Sequence, residues 1–304
     1  MKTHNILLLV VLLLNISCKS SYTRIGDKKA NYIPYYLKVY EADSLFLTNN
    51  YEQSYKILDS LFKKFEPINM QNYLEYGNYI ASAIMIGKTD NIDNKIRKGI
   101  LNYGSISFFH PNSIEIKDKI YNDVTAISKE EFESLFLKSK PNKVDANLKL
   151  LLIEIDKEDQ SARNPVIDYE KMDFFQKKHS PIIEKIIKEY GYPNYQMTKF
   201  INDEFGFPVN FTVLFLHQDV EFKRKYLPLL KTLLIKGKVL PNEYASIVDK
   251  IYMSENKSLY GTFPEIELLH ENKIDSLRKT IGLPKYGYEN WANNISSPNL
   301  YNKN

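Results

Sequence analysis

Apolar residues recur along this chain at helical spacing over most of its length. Tyr51, Tyr55, Leu58, Phe62 and Phe65 fall at i, i+4, i+7, i+11 and i+14, one stripe of a helix. Pro67 ends that helix, because proline lacks the N–H that would continue the ladder and restrains the residue before it. A helix over 36–49 precedes it across the Asn49-Asn50 turn pair. Helices over 72–86 and 91–103 follow, joined by a turn at 87–90. Ser128 with Glu131 three residues on is a capping box, flanked by Ile127 and Phe132 as a hydrophobic staple, and starts a helix that runs to Lys138. Longer helices are predicted over 144–162 and 169–190, the latter closed by Gly191 and interrupted by a kink or a fresh start at Ser180, before Pro181. The apolar run 209–216 has no alternating partner segment, so it reads as a buried helix and not as a strand. Helices over 221–236, 241–253 and 271–281 complete the pattern, and the Asn- and Ser-rich tail after Trp291 reads as frayed. With no hairpin signal anywhere, the predicted fold class is all-α.

Two regions are expected. The first, 32–140, holds two helix pairs at a spacing of about 34 residues, with small residues Ala81, Ser82 and Ala83 that let helices approach closely. It resembles tetratricopeptide hairpins, with Leu47, Tyr51 and Ser54 fitting the repeat and Lys64 departing from it. A plain helical bundle is the other reading. The polar stretch 139–143 is the expected boundary, and 141–304 forms the second, helical region.

The start of the chain is of another kind. Lys2 precedes an unbroken apolar run over 6–14, too short to span a bilayer and of the length of a signal-peptide core. The only cysteine, Cys18, follows at once, where a bacterial lipoprotein carries its lipidated cysteine. Residues 1–17 are therefore expected to be removed and Cys18 to carry lipid. Residues 18–31 form a polar tether, and the protein sits in the cell envelope, anchored to the outer membrane without crossing it. With Cys18 lipidated, no thiol is left for a disulfide. A formal net charge of +4, dispersed along 304 residues, gives no footprint for nucleic acid.

Short polar motifs punctuate the second region: Asp159, Gln160 and Arg163; Gly191-Tyr192-Pro193; His217 and Asp219; Asp249-Lys250; and Tyr260-Gly261-Thr262. In this order and spacing they resemble a bacterial domain family of unknown function, number 6624, whose motifs run D-Q-x-x-R, G-W-P, Q-H-x-D, D-R and Y-G-T-Q. The resemblance covers 145–285, with Tyr192 for Trp, Leu216 for Gln, Lys250 for Arg and Phe263 for Gln. It implies architecture more than a reaction.

Read from the residues, Asp159 and Arg163 share a helix face and can pair. His217 follows a buried apolar run, and Asp219 is near enough to orient it. Two readings of His217 stand. It is a core histidine satisfied by hydrogen bonds, or it is a general base in a cleft shared with catalytic candidates Asp159, Arg163 and Asp249 and binding candidates Gln160, Asp219 and Tyr260. Five scattered histidines and one cysteine give no zinc pattern, and no glycine-rich phosphate loop is present, so neither metal nor cofactor is expected. The function follows the same division. One reading is a membrane-anchored helical binding module for a peptide or envelope protein; the other is a hydrolase-like envelope enzyme built around His217.

Overall fold

A computed structural model of the chain describes residues 22–202, 206 and 208–296. The expected signal segment, Cys18 and the final residues 297–304 lie outside the described residues. Among the described residues the chain folds as α1 (Ile33–Leu47), α2 (Tyr51–Phe62), α3 (Glu75–Met85), α4 (Ile92–Tyr103), α5 (Ser113–Asp118), α6 (Lys129–Lys138) and α7 (Ala146–Ser161). It continues through α8 (Tyr169–Tyr190), α9 (Tyr195–Thr198), α10 (Phe211–Leu216), α11 (Val220–Ile235), α12 (Pro241–Tyr252), α13 (Ile274–Thr280) and α14 (Tyr288–Ser296). The fold is all-α. Among the described residues the strands are a parallel pair of two residues each, β1 (Lys257–Ser258) and β2 (Glu267–Leu268). None of the described helices is long and apolar enough to cross a membrane.

The helix ends follow local chemistry. Asp145, Asp168, Asn194, Asn210 and Asp219 each accept from a first-turn N–H, supplying acceptors that helix starts otherwise lack. Ser128 accepts from the Glu131 N–H at 3.2 Å, half of the expected capping box. The Glu131 carboxylate turns instead to Arg97 of α4, 2.6 Å away. The apolar run 209–216 is helical because Asn210 caps it. α8 passes through Pro181 unbroken, so no fresh start occurs at Ser180; that hydroxyl donates to the Gln176 carbonyl at 2.9 Å.

α3 is the axis of the fold. Every residue from Glu75 to Ile84 is buried, and α1, α2, α4 and α5 all pack on it. Helices of a hairpin array keep an outer face; a helix enclosed on all sides is the centre of a bundle. Closeness is possible because position 77 is glycine. A Cβ there would lie 1.7 Å from the Ser107 carbonyl oxygen. The Glu75 carboxyl, raised by burial, accepts from the Tyr35 hydroxyl at 2.7 Å and from the Asn69 and Met70 N–H groups at 2.5 and 2.7 Å. Those contacts answer the requirement that a buried polar group be hydrogen-bonded.

The expected division at 139–143 is not how the chain packs. Ser139 is wholly buried, Pro141 is buried, and the turn Lys140–Asn142 is wedged between α4 and α9. One apolar core runs from Ala30 to Leu283 across both regions. Polar ties cross as well. Tyr36 of α1 donates to the Leu234 and Val239 carbonyls at 2.9 and 3.2 Å, and the Gln196 amide donates to Asn69 O at 2.5 Å.

Two further expectations are corrected. The described part of the tether, 22–31, is fixed to the fold: Thr23 pairs with Phe65, the Gly26 N–H donates to Lys236 O at 2.8 Å, and Ala30 is buried. The tail after Trp291 continues α14 to Ser296. Tyr288 docks that helix on α1, its hydroxyl donating to Asp43 Oδ2 at 2.7 Å.

Candidate functional site

The polar residues singled out in the sequence separate into two places. His217, Asp159 and Arg163 come together where the C-terminal end of α10 meets the last turns of α7. His217 Nδ1 is 2.8 Å from Asp159 Oδ2, and the Arg163 guanidinium donates to both Asp159 oxygens at 3.1 and 3.2 Å. The carboxylate is 8% exposed and the imidazole 23%, so solvent reaches the ring and not the acid. Burial pushes the Asp159 carboxyl up, but the hydrogen bonds from His217 and Arg163 outweigh it and hold the group below the usual carboxylate range. A carboxylate fixing an imidazole through Nδ1 is what a general base requires.

The remaining candidates do other work. Asp249, buried on α12, accepts from the Leu259, Tyr260 and Thr262 N–H groups at 2.7, 2.8 and 2.9 Å and from the Thr262 hydroxyl at 2.7 Å. It moulds the loop that carries Tyr260-Gly261-Thr262. Burial raises the Tyr260 phenol, whose ring is enclosed. Asp219 does not orient His217; it caps α11, accepting from Phe222 N at 2.6 Å. Gln160 accepts from the Asn164 side chain at 3.1 Å. Among the described residues, no hydrogen bond or ion pair joins Asp249 or Tyr260 to the His217 cluster. No group of three or more His, Cys, Asp or Glu there is placed to hold a metal ion.

A neighbouring pair explains the geometry. Glu158, one residue before Asp159, is 2.8 Å from His179 Nε2 of α8. His179 is 2% exposed and stacks on Phe175, so its part is to pack. Consecutive carboxylates on α7 thus each hold a histidine from a different flanking element. The sequence reading missed the Glu158–His179 pair because the partners lie 21 residues apart. It also missed Lys223, buried on α11, which donates to Leu216 O at 3.1 Å and to Gln218 O and so covers the carbonyl end of α10. Burial pushes its ammonium down to about 8. Glu243 was legible: it is the third residue of a helix begun by Pro241. It accepts from Leu240 N at 2.8 Å and the Thr212 hydroxyl at 3.0 Å, and burial pushes it up to about 7.

A concave site lies elsewhere. Where the two regions meet, a cleft of about 360 Å³ opens between the segment at Ile25, the α4 end at Tyr103, the start of α7 and α9. Ile68, Leu148, Tyr190 and Met197 give it an apolar lining. Its two carboxylates are engaged with backbone: Glu66 accepts from Ile25 N at 3.1 Å, and Asp145 caps α7. Gln196, also in the lining, has its amide nitrogen on Asn69 O and its buried Oε1 without a partner.

No known family, curated protein or solved structure matches the chain. The likeness of 145–285 to the family of unknown function rests on the ordered motifs alone.

Proposed function

We propose that this protein is a helical binding module of a bacterial cell envelope, held at the outer membrane by lipid on Cys18, that receives its ligand in the cleft between the two regions. The observation that carries this reading is the cleft itself: about 360 Å³, apolar, with a few polar groups at its edge. That size and lining are those of small-molecule sites, which favour the junctions of packed units. Gln196 Oε1 supports it, because an orphaned buried acceptor costs about 1–3 kcal/mol and this one, alone of its kind among the described residues of the cleft lining, can be answered by a ligand donor. Cys18 stands only seven residues before Ile25 of the cleft wall, so a lipid on it would keep the cleft near the membrane. Two measurements test the reading. A palmitate analogue fed to expressing cells should label wild type and not Cys18→Ser; equal labelling would remove the anchor. Native mass spectrometry of protein released gently from membranes should find a small-molecule adduct on wild type that Met197→Trp, a larger side chain at a part-exposed position of the cleft wall, lacks. Identical spectra for both would remove the cleft as the binding site.

One observation favours an enzyme as the second reading: Asp159 holds a solvent-reached imidazole by Nδ1. A hydrolase built there loses turnover of an ester substrate with His217→Gln. No turnover by wild type over a broad ester panel would set that reading aside.

A further inference from the structure

The charge around the cleft narrows the chemistry of its ligand. Lys140, Lys143 and Lys238 stand at its edge, each exposed, and none makes an ion pair among the described residues. The two acidic groups of the lining each accept from backbone N–H groups and keep their charge, so three ammonium groups stand against two carboxylates. The mouth is therefore a local excess of positive charge over an apolar floor. Lys238 is held in place there. Its stem lies across Gly26, where a Cβ would come within 2.7 Å of its Cε, and Gly26 is itself pinned by its bond to Lys236 O. A lysine packed along its methylenes presents its ammonium at the end of an apolar track.

We propose that the cleft takes a single-chain anionic amphiphile, a fatty-acid-like molecule with its chain against Leu148, Tyr190 and Met197 and its acidic head among Lys140, Lys143 and Lys238. This rests on the cleft being the binding site. A volume of about 360 Å³ is at the low end for ligand sites and suits one chain, not a two-chain lipid. Nucleotides and sugars are disfavoured by the apolar floor, and neutral hydrocarbons leave the three ammonium groups unanswered. Because these charges face water, they steer and orient more than they hold, and salt weakens their effect.

The test uses the full chain and two fluorescent acyl probes that differ only at the head, a free carboxylate and its methyl ester. The carboxylate should bind about ten-fold more tightly than the ester, and the gap should shrink in high salt. Lys140→Glu with Lys143→Glu should remove that gap while leaving the melting curve unchanged, as both side chains are exposed and unpaired. Met197→Trp should block both probes. Equal binding of the two probes, or a gap that survives the double reversal, overturns the anionic head while leaving the cleft as a site. Probe binding that Met197→Trp does not disturb, or no binding of either probe, overturns the proposal as a whole; the adduct measurement then decides separately whether the cleft binds anything.

Discussion

Replacing Gly77 by alanine probes the centre of the fold. In most helices this change is favourable, by up to about 1 kcal/mol, because alanine loses less backbone freedom than glycine. Here the new methyl would stand 1.7 Å from Ser107 O and 2.6 Å from Ser107 C, where an ordinary contact begins at 3.4 Å. Both atoms are backbone, so no side chain can swing aside. The segment at Ser107 must move away from α3, and overpacking of this kind costs about 1–3 kcal/mol or more. An overlap of half the normal separation belongs at the upper end, which leaves a net loss of about 2 kcal/mol or more. For a chain of this size that is a drop of about 4–8 °C in melting temperature. Gly99→Ala is the control. Its Cβ would meet the tip of Ile106 at 2.2 Å and the Tyr76 ring at 2.9 Å, side-chain atoms that can shift, so its loss should be clearly smaller. Urea unfolding of both variants with wild type reads the difference. Gly77→Ala equal to wild type, or no worse than Gly99→Ala, would refute the close approach of Ser107 to α3.

Two further outcomes follow from the buried acids. Burial pushes Asp43 up to about 7, against about 3.9 in an unfolded chain. Between those values the folded state keeps a proton that the unfolded state releases. Stability therefore falls as pH rises through the window, by up to about 1.4 kcal/mol per pH unit for one group, and levels off above it. Asp43→Asn, which still accepts from Tyr288, should flatten the decline between pH 5 and pH 7 in urea titrations; an unchanged slope would contradict the assignment. His217→Ala leaves the buried Asp159 with Arg163 alone and should lower stability by about 1–3 kcal/mol at pH 7, His217→Gln by less. Unchanged melting of His217→Ala would mean that the imidazole is placed for chemistry, and would favour the enzyme reading.

How much of this was legible in the sequence depended on whether the determining chemistry was local. The helix stripes, the Pro241 start and the pairing of Asp159 with Arg163 are set within a few residues, and they could be read directly; the caps at Asn210 and Asp219 are as local, but Asp219 reads in the sequence as orienting His217. The union of the two regions could not. Residues 139–143 look like a linker because they are polar, yet Ser139 and Pro141 are buried by α4 and α9, which lie on either side of them in sequence. Nor could α3 be told from an ordinary amphipathic helix, since Tyr76 and Asn78 read as an outer face until Phe62 of α2 and Tyr103 of α4 cover the first and Asp43 of α1 accepts from the second. At the site, the sequence named His217 and Asp159 correctly as neighbours but credited Asp249 and Tyr260 with the same place. Ordered motifs record what a fold needs, and Asp249 is needed to shape a loop.

The claim on which the cleft depends is that residues 22–140 and 141–296 form one folding unit. Expressing 141–304 alone tests it most directly. The fragment loses Tyr36 against Leu234 and Val239, exposes the apolar faces of α11 and α12, and frees α14 from α1. Circular dichroism should show helix without a cooperative melt, or the fragment should be insoluble, and co-expressed 18–140 should restore a cooperative transition. A fragment that melts cooperatively by itself, near the temperature of the full chain, would contradict the shared core and with it the cleft as a site built by both regions.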